Sequence, residues 1–589
     1  MPGAADLTAR FPALDIVARR ARLQNSLRLS PGPLAEPARA RGAEAERAAA
    51  GLWRREPAVW TRDPAVQATI ANRLGWLGSA ELMADALPRL SAFADGVRRN
   101  GFTDVVLLGM GGSSLAPDVL RAVVGVAPGY PRLHMLDSTD PAAVRAVATP
   151  AATTLYLLAS KSGTTIEPNA LAAHFAATLE REGVPRWADQ FVAITDEGTD
   201  LARRARAEAF RDVFINPSDI GGRYSALSFF GMVPAALMGQ NVSAIVGWGL
   251  AMLAACEPGF GQAHDHPAVT LGLAMGAGAL AGRDKLTLVS PPALDRFGLW
   301  VEQLVAESTG KQGHGVVPIA GEPLAAADRY GDDRLFVVIG RHGADEDEAS
   351  DTTEALGRAG HPTVTITMPE PEAIGAEFLR WEVATAIASA LLEINPFDEP
   401  NVQQAKDATR VLLARHQADG ALPVAAPDRV LGDGTTLTLT RAAKAALGDR
   451  GAERFLETLE TRDYFALLAY LGPDPALADR LRALRVAVRD RTGAATMFGY
   501  GPRYLHSTGQ LHKGGPNRGI FVLITAVPDV DVPIPGERFS FGTLELAQAL
   551  GDFASLDGAD RRALHIHLPS PDAQVLGAAA DALLAAASA

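Results

Sequence analysis

From Asp104 onward the chain repeats one pattern, in which a short Val/Leu/Ile run is followed by a turn and then by an amphipathic segment. The runs are VVLLG, RLHML, TLYLLA, FVAIT and DVFI, all between residues 105 and 215. Most of them are apolar throughout, as a strand covered on both faces requires. Strands that alternate with helices form parallel sheets with helices on both sides. The pattern therefore predicts a doubly wound α/β unit.

The same pattern divides the 589-residue chain into segments. Residues 1–100 have apolar positions at helical spacing and no convincing strand, which predicts a helical N-terminal arm. We place a first α/β unit at 101–262 and a second at 263–416, where KLTLVS, LFVVIG and TVTITM resume the alternation. The stretch ADGALPVAAPDRVLGDG is typical of a linker. Residues 417–589, with LTLT, TMFGY, IFVLIT and ALHIHLP, are predicted to form a C-terminal α/β segment.

The charge of the chain limits its partners. A net charge of -13 argues against a general nucleic-acid binder, and an anionic ligand would need a local positive site. Of the 55 basic residues only six are lysines, at positions 161, 285, 311, 406, 444 and 513. A coding bias towards arginine explains most of this scarcity. A retained lysine can nevertheless mark a place where a compact ammonium group is needed.

The expected location is the cytoplasm. No apolar run reaches the roughly 18 residues that a membrane span needs, and the first residues do not resemble a secretory signal. Cys256 is the only cysteine, so no internal disulfide can form. We therefore expect no membrane contact and a reduced, buried thiol.

Two glycine- or hydroxyl-rich turns follow predicted strands. In GMGGSSLAP, which begins at Gly109, backbone amides and a helix N-terminus could face an anion. A dinucleotide fingerprint would need glycine where Ser114 stands, and a plain turn with a serine cap remains the alternative. In SKSGTT, which spans 160–165, the hydroxyls exceed what one helix cap requires, and this favours a phosphate site.

Three further segments carry charged residues in suggestive settings. Arg223 follows paired glycines in IGGRYSALS and could stabilise an oxyanion, although a surface ion pair is the simpler interpretation. Glu307 follows an apolar helical stretch in LVAESTGKQGHG, where burial could raise its pKa to that of a general base; a solvated helix end is the alternative. Lys406 is the last residue of INPFDEPNVQQAK, a segment that opens a probable helix. At that position the lysine could equally face solvent.

Together these segments resemble the glucose-6-phosphate isomerase family. The matches are SKSGTT with its phosphate loop, GGRYS with its arginine motif, AESTGK with its base-bearing segment and NPFDEPNVQQAK with its C-terminal signature. The strongest similarity is to the isomerase half of bifunctional transaldolase/isomerase chains, although no region here has room for the transaldolase barrel. The resemblance implies two doubly wound sugar isomerase (SIS) lobes, no metal, no organic cofactor and a homodimer.

The resemblance also implies roles for individual residues. Glu307 would be the base that moves a proton between C2 and C1 through a cis-enediol, and Arg223 would stabilise the enediolate. Lys406 would assist ring opening. The implied substrate-binding residues are Gly112, Ser113, Ser160, Lys161, Ser162, Thr164, Thr165, Gly222 and Glu399.

The sequence departs from the family pattern at two places. Glu399 stands where the family has glutamine after NPFD. The ring-opening histidine is absent from the segment after the base, and the phrase YLHSTGQLHKGG occurs far downstream instead. We therefore expect His506 to be its equivalent, with His512 and His314 as fallbacks, so that the C-terminal segment would be part of the site.

Other functions remain open from the sequence. A sensor that binds a sugar phosphate without chemistry would need the phosphate loop but not Glu307, Arg223 and Lys406. An isomerase for mannose 6-phosphate or an amino sugar phosphate is a third interpretation. The pairs HDH at 264–266 and HIH at 565–567 have no obvious third metal ligand.

Overall fold

The computed structural model describes residues 1–259 and 266–587. Its strands form three sheets. In chain order the strands are β1 (Leu27–Ser30), β2 (Asp104–Gly109), β3 (Arg132–Leu136), β4 (Thr154–Ala159), β5 (Phe191–Asp196), β6 (Asp212–Asn216), β7 (Lys285–Val289), β8 (Val317–Ile319), β9 (Arg334–Arg341), β10 (Thr363–Met368), β11 (Arg429–Val430), β12 (Thr436–Leu439), β13 (Tyr464–Tyr470), β14 (Ala495–Tyr500), β15 (Gly519–Ala526) and β16 (Arg562–Leu568).

Helices cover the sheets and connect them. The α-helices are α1 (Ala4–Arg10), α2 (Ile16–Leu23), α3 (Ala35–Trp53), α4 (Pro64–Ala71), α5 (Ser79–Arg99), α6 (Leu115–Val123), α7 (Pro141–Ala146), α8 (Ile166–Arg181), α9 (Asp200–Ala207), α10 (Phe229–Leu237), α11 (Val242–Ala255), α12 (Val269–Leu280), α13 (Asp295–Thr309), α14 (Glu346–Arg358), α15 (Ile374–Leu391), α16 (Val402–Asp419), α17 (Arg441–Leu447), α18 (Pro475–Thr492), α19 (Gly509–Gly514), α20 (Phe541–Gly558) and α21 (Ala573–Ala586).

The first sheet has the strand order β3-β2-β4-β5-β6, and all its neighbours are parallel. Its central strands β2, β4 and β5 are buried along their whole length. The order reverses direction at β2, as in a doubly wound sheet. The prediction of this fold class from apolar runs that alternate with helices is confirmed.

The second sheet has the order β1-β10-β9-β7-β8 and corrects one expectation. The N-terminal arm is not purely helical, because β1 pairs antiparallel with β10 at the sheet edge. In this strand Leu27 and Leu29 pack against the core while Arg28 is exposed. Only four residues alternate, which is too few for periodicity to distinguish a strand from a helix end.

The C-terminal sheet has the order β11-β12-β16-β15-β13-β14. Strands β13 to β16 are parallel to one another, and β12 joins β16 antiparallel. The third α/β segment is therefore present as predicted, and β13, which the sequence analysis did not single out, is buried along its whole length between β15 and β14. Helices α16 and α20 pack together and hold this sheet against the first one.

An apolar layer of helices lies between the first two sheets. Helices α11 and α12 pack against α15, and α15 is buried along its whole length. Cys256 ends α11 as a buried thiol, and burial raises its pKa to about 12. The predicted boundary at 262/263 lies outside the described residues, so the division into domains stays a prediction. Among the described helices, none combines the length and apolar character that a membrane crossing requires.

Candidate active site

The SKSGTT segment forms the turn between β4 and α8. Ser160 supports it from inside, because its Oγ accepts from the Gly163 amide at 3.1 Å and lies 3.0 Å from Thr165 Oγ1. Gly163 has φ +70°, a conformation that favours glycine. Thr165 is the N-cap of α8, and its side chain makes no hydrogen bond to the amides of the first turn. The turn therefore suits an anion.

Beside this turn lies a cavity of about 500 Å³. Ser162, Thr164 and Thr165 line one wall of it, while Ser160 and Lys161 do not line it. The opposite wall includes Lys406 from α16 and His506 from the segment after β14, together with Lys513 and Gln548. The first and third sheets thus share one cavity.

The lysines near this cavity differ in how they are used. Three of them form ion pairs with carboxylates: Lys161 with Asp196, Lys311 with Asp398 at 2.8 Å and Lys513 with Asp552 at 2.5 Å. Lys406 is exposed, and among the described residues it has no hydrogen bond or ion pair. The expected positive site for an anion therefore depends on Lys406 more than on the other lysines.

His506 is held by a buried carboxylate. Its Nε2 lies 2.8 Å from Glu167 Oε1, and Glu167 is only 3% exposed. The same oxygen accepts from Gln548 Nε2 at 2.7 Å, and Gln548 in turn accepts from Thr139 at 2.9 Å. Burial acts to raise the pKa of Glu167, but the neighbouring His506 lowers it overall, so Glu167 is ionised. This network orients the imidazole towards the cavity.

Glu307 and Arg223 form a second buried group. Glu307 lies on the last turn of α13, and its Oε1 is 3.4 Å from Arg223 Nη1. Burial raises the pKa of Glu307, against the opposing effect of the Arg223 charge. Arg223 lies in the short helix Gly222–Tyr224 and is 4% exposed. A base of raised pKa beside a permanent cation suits the removal of a proton from carbon.

Gln303 connects these two groups. Its Nε2 donates to Glu307 Oε2 at 3.1 Å and to the His506 carbonyl oxygen at 2.8 Å. Glu307 and Arg223 do not line the cavity, and Gln303 links Glu307 to the backbone of His506, which does line it. Glu307, Arg223 and the His506 backbone are thus fixed relative to one another.

The glycines of GMGGSSLAP serve close packing. A Cβ on Gly112 would lie 2.1 Å from the Gly222 carbonyl oxygen, and one on Gly111 would lie 2.6 Å from that of His506. The loop therefore joins the arginine segment to the histidine segment. Ser113 follows it and is 8% exposed. Neither Gly112 nor Ser113 lines the cavity, nor does Gly222.

The fallback histidines lie elsewhere. His512 is fully buried, and burial lowers its pKa well below the usual value. His314 is exposed in the turn after α13. His565 and His567 both contact the Thr525 hydroxyl, at 2.7 and 2.8 Å. The first two residues of HDH lie outside the described ranges. Within those ranges, no three His, Cys, Asp or Glu side chains are grouped so that they could hold a metal ion.

Sequence analysis missed Glu167, Gln303 and Gln548. Gln303 precedes Glu307 by one helical turn, so its place on the same helix face could have been read from the spacing. Glu167 follows SKSGTT in the first turn of α8, where a carboxylate would oppose a bound anion unless it were paired. The residues around Gln548 in the sequence give no indication that it contacts Glu167.

Comparisons with known proteins give one family. A phosphoglucose isomerase family model matches residues 90–314. A glucose-6-phosphate isomerase of Rubrobacter xylanophilus is 30% identical over 374 residues, which cover 55% of this chain and 85% of that protein. One of Thermosynechococcus vestitus is 32% identical over 356 residues, covering 53% of this chain and 66% of that protein.

One solved structure supports the fold. A hypothetical protein from Thermus thermophilus aligns with a TM-score of 0.56 at 24% identity. The alignment covers 66% of this chain and 100% of that one. At this identity the similarity concerns the fold alone.

Proposed function

This chain belongs to the glucose-6-phosphate isomerase family, and we propose that the site around Glu307 interconverts glucose 6-phosphate and fructose 6-phosphate. The observation that carries the assignment of roles is Gln303, which joins the base to the histidine segment. In this proposal the Glu307 carboxylate, the Arg223 guanidinium and the His506 imidazole act on one sugar phosphate held at the turn between β4 and α8. Proton transfer and charge stabilisation need no further group.

The substrate enters with its phosphate at the turn. Ser162, Thr164 and Thr165 would donate hydroxyl hydrogens to the phosphate oxygens, and the first amides of α8 would face it. Lys406 would neutralise part of its charge from the opposite wall. The phosphate would thus fix one end of the sugar before any bond changes.

Ring opening comes next. His506, held by Glu167, would move a proton between the ring oxygen and the C1 hydroxyl, so that the C1–O5 bond breaks and the aldehyde forms. Lys406 lies on the same wall and would contact the ring oxygen region. The product of this step is the open-chain aldose.

Isomerisation then needs one base. The Glu307 carboxylate takes the proton from C2, the C–H electron pair becomes the C1–C2 double bond, and the carbonyl oxygen gains negative charge. Arg223, 3.4 Å from Glu307, stabilises this enediolate. A proton moves from the C2 hydroxyl to O1, Glu307 returns its proton to C1, and the C2–O bond becomes the carbonyl of the ketose.

Three finer points belong to the same proposal. We expect a homodimer from the family resemblance, although a single chain already brings His506 to the cavity. The similarity to the isomerase half of bifunctional transaldolase/isomerase chains stays a prediction, based on the C-terminal unit. We also propose a cytoplasmic location, since the only cysteine is a buried thiol.

The test is a coupled assay that measures glucose 6-phosphate formed from fructose 6-phosphate. We expect the wild-type protein to be active and Glu307→Gln to lose at least about 10³-fold in kcat, because the amide cannot accept the proton. An active Glu307→Gln variant would remove Glu307 as the base. An inactive wild-type protein would favour a sugar-phosphate sensor.

A further inference from the structure

Arg223 has its donors occupied within the described residues. Its Nη1 donates to Glu399 Oε2 at 3.0 Å and also faces Glu307 Oε1 at 3.4 Å. The remaining nitrogens bond to protein oxygens: Nε to Ser308 Oγ at 2.9 Å, and Nη2 to the carbonyl oxygens of Pro396 at 2.5 Å and Asp398 at 2.9 Å. Two carboxylates therefore lie against one guanidinium nitrogen.

Glu307 and Glu399 share the charge of Arg223. Asp398 is paired with Lys311 at 2.8 Å, whereas Glu307 and Glu399 both lie against Arg223 Nη1. Arg73 adds a further positive charge that acts on Glu399. Glu307 is thus exposed to the negative charge of Glu399, while Glu399 has the additional positive charge.

Burial decides which of the two holds the proton. The Glu399 side chain is 47% exposed, whereas that of Glu307 is 11% exposed. Burial acts on both, but the charge and hydrogen bond of Arg223 lower the pKa of Glu399, while burial and the Glu399 charge raise that of Glu307. Glu399 therefore stays ionised, and Glu307 becomes the more basic carboxylate.

Lys311 also acts on Glu307, and the other polar groups beside Glu307, Gln303 and Tyr224, carry no charge. Gln303 donates a neutral hydrogen bond at 3.1 Å, and His506 reaches Glu307 only through Gln303. Tyr224 keeps its hydroxyl 3.1 Å from Ser308 Oγ. Burial raises the pKa of Tyr224 above its usual range, so it stays neutral.

We propose that Glu399 is a positioning residue of the isomerase: its carboxylate lies against the Arg223 nitrogen that also faces Glu307, and its negative charge keeps Glu307 a stronger base than a glutamine there would. This inference rests on the proposed function, and it gives a role to the glutamate that replaces the glutamine of the family pattern. A glutamine could offer the same acceptor oxygen to Arg223 but no charge. The difference between the two residues is therefore electrostatic.

The test is the pH dependence of kcat/KM in the wild-type protein and in Glu399→Gln. Without the second carboxylate Glu307 is better stabilised as an anion, so its pKa falls and the acid limb of the profile moves down by about one pH unit. A weaker base also lowers the plateau kcat, by about threefold. Glu393→Gln, which removes an exposed carboxylate six residues earlier, is the matched control and should leave the profile unchanged.

The outcomes separate the two claims. An inactive wild-type protein contradicts the proposed function. If the wild type is active and the acid limb of Glu399→Gln does not move, or if Glu393→Gln moves it equally, the role of Glu399 is wrong. Glu399→Ala is a second uncharged variant and must move the limb in the same direction. Loss of activity in both variants with unchanged near-ultraviolet circular dichroism also overturns the inference, because the charge itself would then be required.

Discussion

Gly112 is where the structure leaves least room for a side chain in the active site. An added Cβ would lie 2.1 Å from the Gly222 carbonyl oxygen, 2.3 Å from its carbon and 3.0 Å from the Arg223 amide nitrogen. All three neighbours are backbone atoms, so no side chain can rotate away. Ordinary contact begins near 3.4 Å, and Gly112→Ala therefore requires the two segments to separate by 3.4 - 2.1 = 1.3 Å.

This separation would shift the Arg223 backbone, and with it the position of the guanidinium beside Glu307. A misplacement of about 1 Å in an active site can cost about 10²-fold in rate, and overpacking costs about 1–3 kcal/mol of folding free energy. We therefore predict that Gly112→Ala lowers kcat by about two orders of magnitude in the coupled assay. Its apparent unfolding midpoint should also fall.

Gly96 provides the matched control. It lies within α5, and an added Cβ there has no neighbour within 4 Å. Gly96→Ala should keep full activity and gain about 0.5–1 kcal/mol, since alanine is the better helix former. If Gly112→Ala keeps kcat within twofold of the wild type, the tight approach of the two loops has no catalytic importance and this reasoning is refuted.

Two further predictions concern the histidine. Glu167→Gln should lower kcat by about 10- to 100-fold with little change in KM, since a hydrogen bond to a charged group contributes about 1.5–3 kcal/mol. The control is Glu180→Gln, which changes an exposed residue of the same helix and should have no effect. An equal loss of kcat in both variants would argue against the pairing of Glu167 with His506. When the single variants Glu307→Gln and His506→Ala are expressed together so that mixed oligomers form, we expect no recovery of activity, because one chain supplies both groups. Recovery to about a quarter of the wild-type level would show that two chains share a site.

The parts of the site that the sequence could predict are those encoded by local segments. SKSGTT places several hydroxyls at the end of a strand, and the structure puts Ser162, Thr164 and Thr165 on the cavity. Glu307 follows an apolar helix face, and it is buried. In both cases the chemistry and the local fold reside in neighbouring residues.

The parts that could not be predicted depend on distant contacts. The pairing of Glu167 with His506 joins residues 339 positions apart, and that of Glu167 with Gln548 joins residues 381 positions apart. The sequence predicts that Ser160 binds the phosphate, because its hydroxyl belongs to the SKSGTT segment. In the structure, however, its Oγ accepts a hydrogen bond from the Gly163 amide within the turn. Only the packing of the three sheets determines which of these groups meet.

The paired lysines illustrate the same limit. Composition indicates that Lys161, Lys311 and Lys513 were retained in an arginine-rich chain. In the structure each neutralises a carboxylate. Their ammonium groups are therefore engaged by carboxylates, whereas Lys406 is exposed on the cavity.

The central claim is that Glu307 carries a proton between two carbons of the sugar. Its most direct test is the interconversion of fructose 6-phosphate and glucose 6-phosphate in deuterium oxide, followed by proton NMR of the C1 and C2 positions. We predict that the wild-type protein introduces deuterium at C2 of glucose 6-phosphate during prolonged equilibration and that Glu307→Gln introduces none. Deuterium accumulates over many turnovers because the proton held by Glu307 exchanges with solvent before some of the returns, and exchange that persists in Glu307→Gln would contradict the claim.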